Sequence, residues 1–132
     1  MITKYIFPLS WALLVTCGSL LPGQNLISLK QSAEINIPHL YLHCISYGVL
    51  TLLILWSIQG WTTICYTKIN FKIFVWICMY GLLIELLQEF LVPGRDFEIS
   101  DLVMNSMGVI IGTIIYFTLR TIYFSKTSAD TE

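Results

Sequence analysis

Two carboxylates, an imidazole and a guanidinium recur next to apolar stretches of this 132-residue chain, at spacings that bring them together. Glu85, Gln88 and Glu89 stand at i, i+3 and i+4 and so share one face of a helix. Asp101, Asn105, Gly108 and Gly112 stand at i, i+4, i+7 and i+11, again one face, and His43 and Tyr47 are one turn apart. Arg95 lies between the two acidic segments, with Asp96, Glu98 and Ser100 around it. Glu85 and Asp101 are candidates for acid and base work, with His43 as a further base. Arg95 suits a phosphate or carboxylate through charge-assisted hydrogen bonds. Gln88, Asn105 and Tyr47 add neutral donors and acceptors, so the candidate binding set is Glu85, Gln88, Arg95, Asp101, Asn105, His43 and Tyr47. No nucleophile elbow, Gly-rich phosphate loop or repeat accompanies them, and any hydrolytic reaction would use an activated water.

A purely structural use of the same residues stands beside this reading. Glu85 can pair with Arg95, Ser100 or Asp101 can cap a helix, and Asn105 can hydrogen-bond a neighbouring helix. His39 and His43 have a spacing that can hold a metal with Glu85 or Asp101. However, no H-E-x-x-H pattern is present and His39 follows a proline. The expectation is no metal and no cofactor. Cys17, Cys44, Cys65 and Cys78 form no C-x-x-C pair and read as buried structural thiols.

The elements that must position these groups are membrane helices. Hydrophobic residues make up 56% of the chain and charged residues 11%, against about 25% charged in an ordinary soluble domain. So small a domain has too little interior to hide that much hydrocarbon; lipid covers it instead. Four apolar stretches approach the ~20 residues a span requires, at about 5–22, 40–58, 71–92 and 101–124. Two end at Pro-Gly breakers, Pro22-Gly23 and Pro93-Gly94. The expectation is an all-α, polytopic membrane domain over 1–124 followed by a polar tail, 125–132. The first stretch, with Lys4 and Leu14-Val15-Thr16-Cys17, also resembles a signal segment. Thr16 is a poor residue before a lipoprotein cysteine and the apolar run continues to Leu21, so the reading is a retained helix. Placing the N-terminus inside puts Lys4, Lys68, Lys72, Arg120 and Lys126 in the cytoplasm and leaves Lys30 and Arg95 outside. Both termini are then cytoplasmic, and every candidate site residue falls in the outer leaflet. The Gly108/Gly112 pair is a G-x-x-x-G helix-packing motif.

The run Gly81-Leu82-Leu83-Ile84-Glu85-Leu86-Leu87-Gln88-Glu89-Phe90, followed by Pro93-Gly94-Arg95 and then by Asp101, Asn105 and Gly108, resembles the VanZ-like family. That family carries E-x-x-Q in a helix, then an arginine, then D-x-x-x-N-x-x-G entering its last helix. His43 and Tyr47 resemble its upstream H-x-x-x-Y element. The similarity covers roughly residues 39–115. One departure is visible: His39 and Leu40 occupy positions where members often carry an acidic-basic pair. The resemblance implies a small multi-pass protein of the bacterial cytoplasmic (inner) membrane, in a family whose namesake is associated with low-level resistance to the glycopeptide teicoplanin.

Three functions follow as expectations. The first is binding of membrane lipids, a lipid-linked cell-wall precursor or a lipophilic glycopeptide at the outer leaflet. The second is an intramembrane lipid-modifying enzyme using Glu85 and Asp101. The third is a small transporter or flippase, working as a homodimer joined through Gly108 and Gly112. Nucleic acid is excluded as a partner, because the seven Lys and Arg residues are scattered and form no basic run.

Overall fold

The computed structural model describes residues 3–21, 39–59 and 67–129. Four helices hold nearly all of them: α1 (Thr3–Ser19), α2 (His39–Gln59), α3 (Thr67–Leu91) and α4 (Ile99–Ala129). No strand occurs among the described residues. Helices α2, α3 and α4 are long and apolar enough to cross a membrane, over Leu40–Gln59, Asn70–Leu91 and Ile99–Tyr123. Helix α1 has 17 residues, or about 25 Å at ~1.5 Å per residue, somewhat less than the ~30 Å hydrocarbon layer. The four expected spans are thus three full-length helices and one shorter one. The chain is a multi-pass membrane protein.

Burial is arranged as lipid requires. Trp76 and Phe90 are 75% and 79% exposed, while Gln88, two residues before Phe90, is 1% exposed. Apolar rings face outward and polar groups inward, because hydrocarbon offers polar atoms no hydrogen bonds. A compact apolar core of Val15, Tyr47, Leu50, Leu55, Ile77 and Val109 joins the helices at mid-depth.

Helix α2 contacts all three others and packs most extensively on α4. Glycine makes this contact possible. A Cβ on Gly108 would run into the carbonyl of Cys44, and one on Gly112 into the carbonyl of Gly48. Gly48 in turn faces the Gly108 carbonyl, 3.3 Å from where its Cβ would lie. The two backbones therefore approach as closely as small-residue stripes permit. Gly108 and Gly112 are taken up by α2 of the same chain.

Helix α1 is built into the bundle. Trp11 Nε1 donates to the Ser46 carbonyl at 3.0 Å, Tyr80 Oη donates to the Ala12 carbonyl at 2.8 Å, and Thr16 Oγ1 lies 2.7 Å from Tyr80 Oη. Pro8 sits within α1 and is buried. It has no N–H for the carbonyl of Lys4, four residues back. The Ser57 hydroxyl of α2 donates to that carbonyl instead.

One expectation changes, and the segment after the last span is helical. Helix α4 runs on to Ala129, through most of the segment read as a polar tail. Nothing there breaks a helix, and Lys126 in its last turn suits the negative end of the helix dipole. Cys17 is exposed rather than buried, while Cys44 and Cys78 are partly buried; Cys65 lies outside the described residues.

Candidate functional site

The chain direction places four helix ends on one side. Helices α1 and α3 finish there, at Ser19 and Leu91, and α2 and α4 begin there, at His39 and Ile99. Glu85 and Gln88 occupy the last two turns of α3, His43 the second turn of α2, and Asp101 and Asn105 the first two turns of α4. Gly94, at φ 76°, turns the chain between α3 and α4 in the left-handed conformation that glycine adopts without strain. The Arg95 N–H closes this turn on the Val92 carbonyl at 3.2 Å.

His43 is the centre. Its Nδ1 lies 2.9 Å from Asn105 Oδ1 and 3.7 Å from Glu85 Oε1, and its Nε2 lies 3.5 Å from Asp101 Oδ2. One imidazole thus stands between carboxylates from two different helices. All four groups are buried: His43 is 6% exposed, Glu85 1%, Asp101 3% and Asn105 0%. Asp101 is in the first turn of α4 but does not cap it. Its N–H bonds the Glu98 carbonyl at 3.1 Å, and its carboxylate turns inward to His43. The positive end of the helix dipole favours a carboxylate there.

Satisfaction of these groups is incomplete. Among the described residues, Glu85 Oε1, Gln88 Oε1 and Tyr47 Oη are buried without a hydrogen-bond partner. Such atoms cost about 1–3 kcal/mol each when left unpaired. Gln88 uses its other atom, Nε2, to donate to the Ser19 carbonyl at 2.8 Å, and Arg95 Nη1 points to that carbonyl at 3.4 Å. The Arg95 charge also acts electrostatically on Glu85 and His43. A cleft of about 160 Å³ between α1 and α2 reaches the site, lined by Leu14, Gly18, Ser19, Leu42, His43 and Tyr47. Further along the same helices a second cleft of about 400 Å³ is almost wholly apolar, with Pro8, Leu9, Ala12, Leu50, Ile54 and Trp76 on its walls.

The structure brings His43, Glu85, Asp101 and Asn105 together, with Tyr47 and Gln88 buried beside them and Arg95 at the rim. Glu89 does not join, and is exposed. The buried stripe of α3 runs through Ile73, Ile77, Gly81, Ile84, Glu85 and Gln88. Glu85 is at the edge of that stripe, and Glu89 lies about 40° further round. The side chain of His39 lies outside the described residues. Residue spacing alone does not reveal the contributions of Gly81 or Ser19. A Cβ on Gly81 would lie 3.2 Å from both the Tyr47 ring and Asn105 Nδ2, so its absence makes room for both. Its place in the buried stripe is the available signal. The Ser19 carbonyl is a backbone atom with no side-chain signature.

A model of the family described as VanZ/LLP1 matches residues 6–120. No curated protein and no solved structure matches the chain.

Proposed function

The chain belongs to the VanZ/LLP1 family, and on that footing we propose that it binds a lipid-linked or lipophilic envelope molecule at the outer leaflet of the cytoplasmic membrane. The observation carrying this reading is the group Glu85 Oε1, Gln88 Oε1 and Tyr47 Oη, buried without hydrogen-bond partners among the described residues and gathered at one end of a bundle whose sides face lipid. A polar headgroup would supply the missing donors. Arg95 would meet its phosphate or carboxylate, and the cleft beside His43 and Tyr47 would admit it. The apolar cleft deeper along α1 and α2 has the lining an acyl chain requires. The distribution of Lys and Arg supports the outward orientation. The contacts of α1 with Ser46, Tyr80 and Gln88 support its retention in the mature protein. A role in teicoplanin susceptibility follows if the bound molecule is a cell-wall precursor or the glycopeptide itself.

A second reading rests on a separate observation: the two nitrogens of His43 face two different carboxylates, Glu85 and Asp101. At 3.7 and 3.5 Å these are ion-pair distances rather than hydrogen bonds, and an enzyme that activates water against a bound lipid would have to tighten them. Transport by a homodimer requires surfaces other than Gly108 and Gly112, which α2 already covers.

The test is mass spectrometry of lipids retained by purified protein, comparing wild type with Glu85→Gln and Arg95→Ala. A retained anionic lipid that is lost in Arg95→Ala, with no product, is the expected result. A product formed by wild type and absent with Glu85→Gln would favour the enzyme. Identical behaviour of all three proteins would overturn both readings.

A further inference from the structure

We propose that His43, Glu85 and Asp101 form a binding site for a single divalent cation of the zinc or manganese class. The site goes beyond the lipid reading: its ligands all come from the chain itself, and a cation there would take Glu85 Oε1 and leave Gln88 Oε1 and Tyr47 Oη for a headgroup.

Geometry is the first support. One ligand atom from each of the three side chains lies within 4.8 Å of the other two, and all three residues are buried. A cation with bonds of about 2.0–2.2 Å holds its ligand atoms roughly 3–4 Å apart. The three groups therefore need to move inward by only about 1 Å. They come from α2, α3 and α4, so the cation would tie together three helices that the short apolar core joins at mid-depth.

Chemistry is the second. Two carboxylates and a neutral imidazole carry a charge of −2, which a divalent cation cancels. Buried like charges at membrane depth are otherwise costly. Glu85 Oε1, 1% exposed as a residue, is without a hydrogen-bond partner among the described residues and faces the imidazole. It approaches the ring at Nδ1, 3.7 Å away, and lies within reach of the other two ligand atoms; a cation shared with Asp101 would draw it toward the Nε2 side.

The third support is orientation of the imidazole. When Nδ1–H donates to Asn105 Oδ1 at 2.9 Å, Nε2 keeps its lone pair and faces Asp101 at 3.5 Å. Metal-binding histidines are commonly held this way by a second group on the other nitrogen. Asn105 is then a positioning residue. One imidazole with two carboxylates matches borderline first-row cations, whereas calcium takes six to eight oxygens and magnesium retains most of its water. The ligands are gathered from three helices, and for that reason no contiguous H-E-x-x-H motif marks them.

The experiment uses the full chain in nanodiscs of phosphatidylethanolamine and phosphatidylglycerol, stripped with EDTA and then equilibrated with Zn²⁺ or Mn²⁺. After washing, wild type should retain about one metal ion per chain, and the preferred ion identifies the cation. His43→Ala and Asp101→Asn should each lower retention at least about tenfold, while Glu89→Gln, at an exposed carboxylate, should match wild type. Co²⁺ gives a reading without any variant: wild type should develop a visible absorption distinct from the hydrated ion, reversed by Zn²⁺. Wild type that retains neither metal and leaves the Co²⁺ spectrum unchanged overturns the site. Unchanged retention in a folded His43→Ala protein overturns it as well. EDTA-stripped protein that still holds lipid but takes up no metal overturns the cation and leaves the lipid reading intact.

Discussion

The two ends of the bundle use buried polar residues in opposite ways. At the end holding Lys4 and Gln59, polar side chains complete the structure: Ser57 caps the Lys4 carbonyl that Pro8 leaves open, and Gln59 Nε2 donates to Asn70 Oδ1. No carboxylate is involved, and among the described residues Gln59 Oε1 is the one buried side-chain atom at this end without a hydrogen-bond partner. At the other end Glu85 and Asp101 flank one imidazole, and among the described residues Glu85 Oε1, Gln88 Oε1 and Tyr47 Oη are buried without a hydrogen-bond partner. A bundle selected only for stability would resemble the first end throughout, since apolar packing replaces buried charge at no loss. The difference identifies the second end as the one arranged for something outside the chain.

The second end depends most on the glycine crossing of α2 and α4. Gly108→Leu would push α4 off α2 at the Cys44 carbonyl and separate His43 from Asp101. A loss of about 3 kcal/mol or more is expected, read by thermal unfolding in nanodiscs. At the first end, Ser57→Ala should cost about 1–2 kcal/mol by orphaning the Lys4 carbonyl. Adding Pro8→Ala should recover most of this, because an alanine at that position brings its own N–H to the carbonyl. A double-mutant cycle would read a coupling of about 1 kcal/mol. The smallest effect is expected for Glu89→Gln. Although it is one turn from Glu85, it should change stability by less than about 0.5 kcal/mol and leave ligand retention at the wild-type level.

Much of this arrangement is legible in the sequence. Apolar runs with Pro-Gly punctuation mark the spans, and the i, i+4 spacing of Asp101 with Asn105 and of His43 with Tyr47 marks the faces that meet. The limits are physical. A helical face has width, so the buried stripe of α3 ends at Glu85 and leaves Glu89 outside. Close approach depends on pairing between distant segments, so the roles of Gly48 and Gly81 emerge only when α2, α3 and α4 are assembled. Ser19 contributes a carbonyl, which any residue carries, and the repair of Pro8 by Ser57 joins positions at opposite ends of two helices.

The most direct test of the central claim is the stability of Glu85→Gln, measured together with its lipid retention in EDTA-treated nanodiscs. The substitution preserves shape and replaces a buried carboxyl group that has one oxygen without a hydrogen-bond partner among the described residues. A protein as stable as wild type or more stable by about 1 kcal/mol is expected, with bound lipid lost. A loss of about 2 kcal/mol or more with lipid retention unchanged would show that Glu85 holds the bundle together and that the two ends do the same work.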